Sequence, residues 1–457
     1  MGKQKRNYEM NMCEGSLVGK MLIFTIPLMC SGMLQLLFNA ADTIVVGRYA
    51  GSLALAAVGS TSSLINMQVN MFMGLSVGSN ILISRYYGAK KEEDIKDTLH
   101  TSITLAFLAG MCLAIFGNLF ARPLLRMMGS PEDVLDLATM YIRIYFMGMP
   151  INLVYNFGAA ILRAVGDTKR PLYYLTTAGV VNVVLNYIFV VFFHMNVAGV
   201  ALATVLSQCV SAVLLLRCMC RLDGCLRLEF KKLGIHKEKA KLILKNGIPA
   251  GIQGSIFSFS NVLIQSSINS FGSLAMAGSS ATTSIQNFVY TAMNSFQQTA
   301  LCFTSQNLGG GKFERINKVL RNSVLMVTVI GLTLGAGGCF FAEPLLRIYS
   351  SDAEVIAFGI ERFYWIGIPY FLCGIMDVLV GMLRGLGYAT VPMFVSIIGV
   401  CGFRVLWIFT AFAYFHSLGV LYSSYMISWI ITSITHFICY CIVWKKLRNR
   451  LENKNSL

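Results

Sequence analysis

The sequence predicts an all-α membrane protein of twelve transmembrane helices in two six-helix lobes related by an internal parallel repeat. Three observations carry that prediction. Of 457 residues 56% are hydrophobic and only 13% are charged, against ~25% charged in a soluble domain. Apolar segments recur along the whole length, each long enough to cross the ~30 Å hydrocarbon layer as a helix. The turns between these segments return at an offset of 221 residues, as internally duplicated chains do.

Taken in order, the expected spans are 17–46, 53–80, 97–118, 135–158, 172–193, 197–218, 241–270, 274–304, 320–341, 355–381, 392–413 and 418–443. In the first, Ser31, Gln35, Asn39 and Asp42 fall at intervals of four, four and three, so they share one helix face. The other faces are Leu, Ile, Phe, Met and Val. Asp42 is the costly residue, since an acid at mid-membrane costs about 2.5–3.5 kcal/mol on insertion scales. A cation or proton site would justify that cost; a helix-end cap near the interface is the plainer alternative. Pro27 lacks a backbone donor and invites a bend about four turns before Asp42. Pro249 holds the corresponding place in the seventh span.

Other spans of the first half carry polar pairs one turn apart: Asn66 and Asn70 in span two, Asn182 and Asn186 in span five, Thr204 and Gln208 in span six. Any one pair can be interhelical glue worth ~0.6 kcal/mol. Several of them in the half that holds Asp42 point to a shared polar pocket. The second half has similar stripes (Gln253, Gln265, Asn269; Asn287, Asn294, Gln297), with Asp377 as its one acid deep in a span. Asp377 is a candidate second titrating group.

The repeat is read turn by turn. Gly51-Ser52-Leu53-Ala54 returns as Gly272-Ser273-Leu274-Ala275, and the Phe120 to Arg126 turn as Phe341 to Arg347. Leu162-Arg163-Ala164-Val165-Gly166 returns as Leu383-Arg384-Gly385-Leu386-Gly387. Six spans per half give both halves the same orientation. In such parallel repeats the transport path usually lies between lobes that open alternately. The expected domains are an N-terminal lobe over 1–219, a basic cytoplasmic linker over 220–240, and a C-terminal lobe over 241–457. The linker has the composition of an amphipathic surface helix.

The net charge of +16 is topology rather than a nucleic-acid footprint. With the N-terminus in the cytoplasm, 30 of the 37 Lys and Arg fall on one side, in the arm (Lys3, Lys5, Arg6, Lys20), the even-numbered connections, Arg384, and the tail from Lys445 to Lys454. The other side holds Arg48, Arg122, Arg126, Arg347 and Arg362, and Arg143 and Arg404 lie within spans. This positive-inside bias predicts a multi-pass cell-membrane protein with both termini cytoplasmic and no cleavable signal. The thirteen cysteines are scattered through the spans and read as packing residues. All five histidines read as lying in loops or near span ends. No phosphate loop, nucleophile motif or metal-ligand cluster emerges. The expectation is therefore no metal, no cofactor, no nucleic-acid partner, and a monomer in the lipid bilayer.

The twelve-span duplication, the NAADTIVVGRYAG stretch, the LRAVGDTKRP turn and the GVALATVLSQ segment together resemble the MATE family of multidrug and toxic compound extrusion transporters. The resemblance covers essentially the whole chain. It implies export of organic cations and amphipathic compounds against inward sodium or proton movement. It further implies a first-lobe cation site made by Asp42, Asn182, Asn186 and Thr204. At Asn186 the family pattern has an Asp, which leaves Asp42 as the one first-lobe charge able to titrate. One carboxylate supplies one formal charge, which favours a proton over sodium as the coupling ion, with H+ or Na+ both open. Gln35, Asn39, Asn66, Asn70, Gln208 and Asp377 are the cavity-lining candidates, and Pro27 the hinge. The acid that another branch carries in span seven has no counterpart in AGIQGSIFSFSN.

Two other readings compete. A lipid-linked glycan flippase of the same broader fold would want cations in its cavity, and only Arg143 and Arg404 are deep enough. An intramembrane aspartyl protease would use Asp42 and Asp377. Those two occupy different repeats, whereas a shared-proton dyad needs adjacent carboxylates.

Overall fold

The computed structural model describes residues 8–455. Lys3, Lys5 and Arg6 of the basic arm lie outside the described residues, as do the side chains of Arg450 and Lys454. Apart from its opening residues, the turns and the segment 222–236, the described chain is helical, in twelve rods with a short helix Ala342–Arg347 between two of them. The rods are α1 (Leu17–Ala50), α2 (Ser52–Gly88), α3 (Glu92–Met127), α4 (Glu132–Met147 with Met149–Ala164), α5 (Lys169–Phe192) and α6 (Asn196–Arg221). Then come α7 (Lys237–Asn269), α8 (Ser273–Gly309), α9 (Phe313–Phe340), α10 (Ala353–Gly367 with Tyr370–Gly385), α11 (Thr390–Phe415) and α12 (Leu418–Asn455).

Seven of the rods are long and apolar enough to cross a membrane, or nine when α4 and α10 each count as one bent span. The other three are α2, α7 and α8. Their length suffices, but Ser, Thr, Asn and Gln dilute the first and last of them, and four lysines open α7. The bends in α4 (48°) and α10 (45°) fall on matching sequences, Gly148-Met149-Pro150 and Gly367-Ile368-Pro369. Each proline lacks a backbone donor and crowds the preceding turn, so the helix breaks where both halves place one.

The chain divides into two compact units. The first runs to Gly251 and takes in Gly309–Gly311; the second holds Ile252–Leu308 and Lys312–Leu457. In the first unit α3 packs along α4, α1 along α5, and α5 along α6, with α2 and α6 also closing on α4. Leu135, Phe146, Leu153 and Phe157 of α4 fill the centre with Ala57 of α2 and Ala106 of α3. In the second unit α9 packs along α10 and α10 along α12. Gly110 of α3 touches the Pro150 backbone so closely that a Cβ would sit 2.3 Å from its Cα, and Gly331 meets Phe371 in the same way 221 residues on.

Residues 222–236 form no amphipathic helix. The linker makes two single turns, Gly224–Leu226 and Phe230–Lys232, and is otherwise extended. Two of its apolar residues face inward, Leu226 and Leu228, buried with Ile95, Leu99 and Met219, whereas Phe230, Leu233 and Ile235 are exposed. The backbone N–H of Glu229 donates to His100 Nε2 at 3.1 Å and that of His236 to Thr101 Oγ1 at 3.1 Å. With two isolated turns and no continuous helix, the strap has no helical apolar stripe.

Candidate functional site

α1 begins at Ser16, whose hydroxyl accepts from the Gly19 N–H at 3.4 Å, and continues without a break through Pro27. The Ser31 hydroxyl donates to the Pro27 carbonyl at 2.8 Å. Four residues before Asp42, the Phe38 ring lies over Gly179 of α5; a Cβ there would sit 1.8 Å from the ring. This absent side chain lets α1 and α5 close on each other just where their polar residues follow.

The four residues implied by the resemblance come together. Asn186 Nδ2 donates to Asp42 Oδ1 at 2.5 Å and to Asn182 Oδ1 at 3.3 Å. Asn182 Nδ2 donates in turn to Thr204 Oγ1 of α6 at 3.5 Å, and that hydroxyl donates to the Val200 carbonyl at 3.0 Å. Asn182 and Asn186 are buried and Asp42 is half-buried. Asn186 of α5 is thus the donor to Asp42, and the bonds continue through Asn182 to Thr204 of α6, whose hydrogen goes to its own helix. Asn186 Oδ1 is buried with no hydrogen-bond partner among the described residues. It offers a free acceptor beside the carboxylate, the kind of oxygen that a bound cation would use. Just beyond these residues both helices widen into π-turns, at Val46–Ala50 and Ile188–Phe192, a local irregularity frequent at functional sites.

Tyr141 and Tyr145 of α4 were not singled out from the sequence. Tyr141 is an electrostatic neighbour of Asp42, and Tyr145 takes a hydrogen bond from Gln208. Two hydroxyl-bearing rings one turn apart on an apolar helix were the available signal. Gln35 and Asn39 of α1 and Asn66 and Asn70 of α2 are exposed on their rods.

The second unit holds its own buried polar cluster. Asp377 of α10 is 4% exposed and takes a hydrogen bond from Asn294 of α8. Arg384 is its electrostatic partner and donates through Nη2 to Gln253 Oε1 of α7 at 2.8 Å. Arg384 is therefore a buried residue and not the cytoplasmic loop cation that the charge count took it for. Arg362 is likewise no outer-loop residue: it is buried, donates to Ser279 Oγ at 2.5 Å and stands over the Tyr422 ring. His436 sits well inside α12, fully buried against Ser396 at 3.0 Å, rather than near a span end. Arg404 is buried over Tyr425 and bonded to Ser428, whereas Arg143 is exposed. Among the described residues no group of three His, Cys, Asp or Glu has metal-binding geometry.

Compared with known proteins, the chain matches the MatE family model over residues 27–188 and 249–410. It is 29% identical over 438 residues to the probable multidrug resistance protein YoeA of Bacillus subtilis, covering 93% of this chain and 94% of that protein. It is 25% identical over 347 residues to an FAD transporter of Shewanella oneidensis, covering 74% and 76%. A solved multidrug resistance MATE family transporter of the MOP superfamily, in an outward-facing conformation, superposes with a TM-score of 0.90. That match covers 98% of this chain and 100% of the other at 21% identity, and it establishes likeness of fold.

Proposed function

The chain belongs to the MatE family of membrane transporters, and from that premise we propose that it exports small organic cations and amphipathic compounds by proton- or sodium-coupled antiport. The observation that carries the proposal is the Asp42–Asn186–Asn182–Thr204 chain of bonds. When Asp42 is ionised it accepts from Asn186 and holds α1 against α5. A proton on the carboxyl removes the charge and turns one oxygen into a donor. A sodium ion instead competes with the amide for the same oxygens. Either event changes how strongly the outer part of α1 is held, and differential binding of the ion to two arrangements of the helix is what coupling requires.

The exposed amides Gln35, Asn39 and Asn66 support a watered path, because amides facing lipid would go unsatisfied. The positive-inside bias supports a cell-membrane location with both termini cytoplasmic. One carboxylate among amides and a hydroxyl favours the proton as coupling ion.

A second reading has an observation of its own. Arg362 and Arg404 are buried in the second unit over aromatic rings, and the Shewanella relative is named an FAD transporter. Cations of this kind would suit an anionic substrate. The test is counterflow in proteoliposomes, with a fluorescent organic cation and a flavin dinucleotide offered separately under imposed sodium or proton gradients. Uptake of the cation alone supports the first reading, and uptake of the flavin alone the second.

A further inference from the structure

We propose that the opening turns of α7 form a binding site for an anionic phospholipid. An open groove of about 630 Å³ runs along them. Lys237, Lys241 and Lys245 stand on it at intervals of four, so they make one stripe along the helix. Beside that stripe lie Ile235, Leu244 and Ile248, respectively 45%, 36% and 43% exposed. The three lysines are exposed, and none of them takes part in a salt bridge among the described residues. Lys239 points elsewhere, pairing with Asp94 and Tyr86. Exposed Glu238 is the one acid in the first turn of α7. The preceding turn repeats the mixture, with Phe230 62% and Leu233 38% exposed beside Lys231 and Lys232.

A row of unanswered cations beside an apolar trough matches a ligand that carries a negative phosphate and a hydrocarbon chain on one molecule. A soluble anion would satisfy the lysines and leave the trough wet. A zwitterionic lipid would fill the trough without net charge for the lysines. The positive-inside bias sets this end of α7 at the cytoplasmic leaflet, where anionic headgroups attract basic residues that flank a span. The strap of residues 222–236, fixed to α3 by His100 and Thr101, keeps the mouth of the groove in place.

The test is native mass spectrometry of the full chain in detergent, titrated with phosphatidylglycerol or phosphatidylcholine. The parent should take up phosphatidylglycerol in preference to phosphatidylcholine. Replacing Lys237, Lys241 and Lys245 together by Gln should weaken phosphatidylglycerol binding about a hundredfold, roughly fivefold per lysine. A control that replaces Lys312, Lys318 and Arg321 by Gln should leave it within about twofold. Leu244→Ser with Ile248→Ser should weaken the lipid and not glycerol phosphate. Equal uptake of the two lipids, equal losses in the two charge variants, or displacement of the lipid by glycerol phosphate at comparable concentration would each overturn the proposal.

Discussion

Asn186 uses both of its amide hydrogens, one on Asp42 and one on Asn182, so its identity sets the charge of the pocket. Asn186→Asp would place two carboxylates against each other. A doubly charged pocket suits sodium better than a single carboxylate does, because a bound cation then offsets like-charge repulsion. The expected result is transport that gains a sodium-dependent share over the parent, read as substrate flux against external sodium at fixed pH.

Asp167, in the turn between α4 and α5, is a different case. It is 2% exposed, accepts from the Arg170 N–H at 3.1 Å and faces Arg170 Nε at 3.4 Å. Burial pushes its carboxyl up from 3.8 to about 6, and Arg170 opposes the shift. The folded chain therefore binds an extra proton between pH 4 and 6, and stability falls as pH rises through that window. The full cost, up to about 3 kcal/mol, is present above it. Asp167→Asn should melt higher than the parent in detergent at pH 7.5, and the difference should vanish below about pH 4. A variant that melts lower at pH 7.5 would show that the Arg170 contact outweighs burial.

Among the elements, α1 and α5 were legible singly but not as a pair. The spacing of Asn39 and Asp42, or of Asn182 and Asn186, fixes which residues share a face. It does not say that residue 186 meets residue 42, a contact made 144 residues apart that depends on Gly179 admitting Phe38. Hydropathy also blurs rod ends. Arg384 lies at the end of α10 near a turn, yet its long stem and its partners Gln253 and Asp377 keep it inside. His436 was misplaced for the same reason, since α12 runs past the end expected for its span.

The proline in α1 carries a prediction of its own. Pro27 frees the carbonyl of residue 23 from its helical bond, so the rod can bend there more cheaply than an unbroken helix. If that bend passes the state of Asp42 to the cavity wall, Pro27→Ala should cut driven export several-fold while equilibrium drug binding in detergent stays near the parent. Proportional loss of both would mark a static kink that serves packing. Loss of neither would end the hinge role.

At the scale of the molecule the duplication reappears in side-chain bonds. Ser84 Oγ donates to the Ala164 carbonyl at 3.2 Å, and Ser305 Oγ to that of Gly385 at 3.1 Å. Both residues have moved by 221 positions, the period that the turns of the sequence already displayed. The chemistry was not duplicated with the scaffold. At that period Asp42, Asn182 and Asn186 correspond to Leu263, Phe403 and Trp407. The second half keeps its buried charge elsewhere, on Arg362, Asp377, Arg384 and Arg404. The proposed coupling site accordingly lies in one half only, with Asp42 as its sole carboxylate.

That assignment is tested most directly by reconstituting the parent and Asp42→Asn into liposomes and imposing a proton gradient and a sodium gradient in separate experiments. The parent should concentrate a fluorescent organic cation under the proton gradient. Asp42→Asn should lose driven accumulation under either gradient while inserting normally, because removing a mid-membrane charge eases insertion. Asp42→Asn vesicles that accumulate substrate at the parent rate would contradict the account.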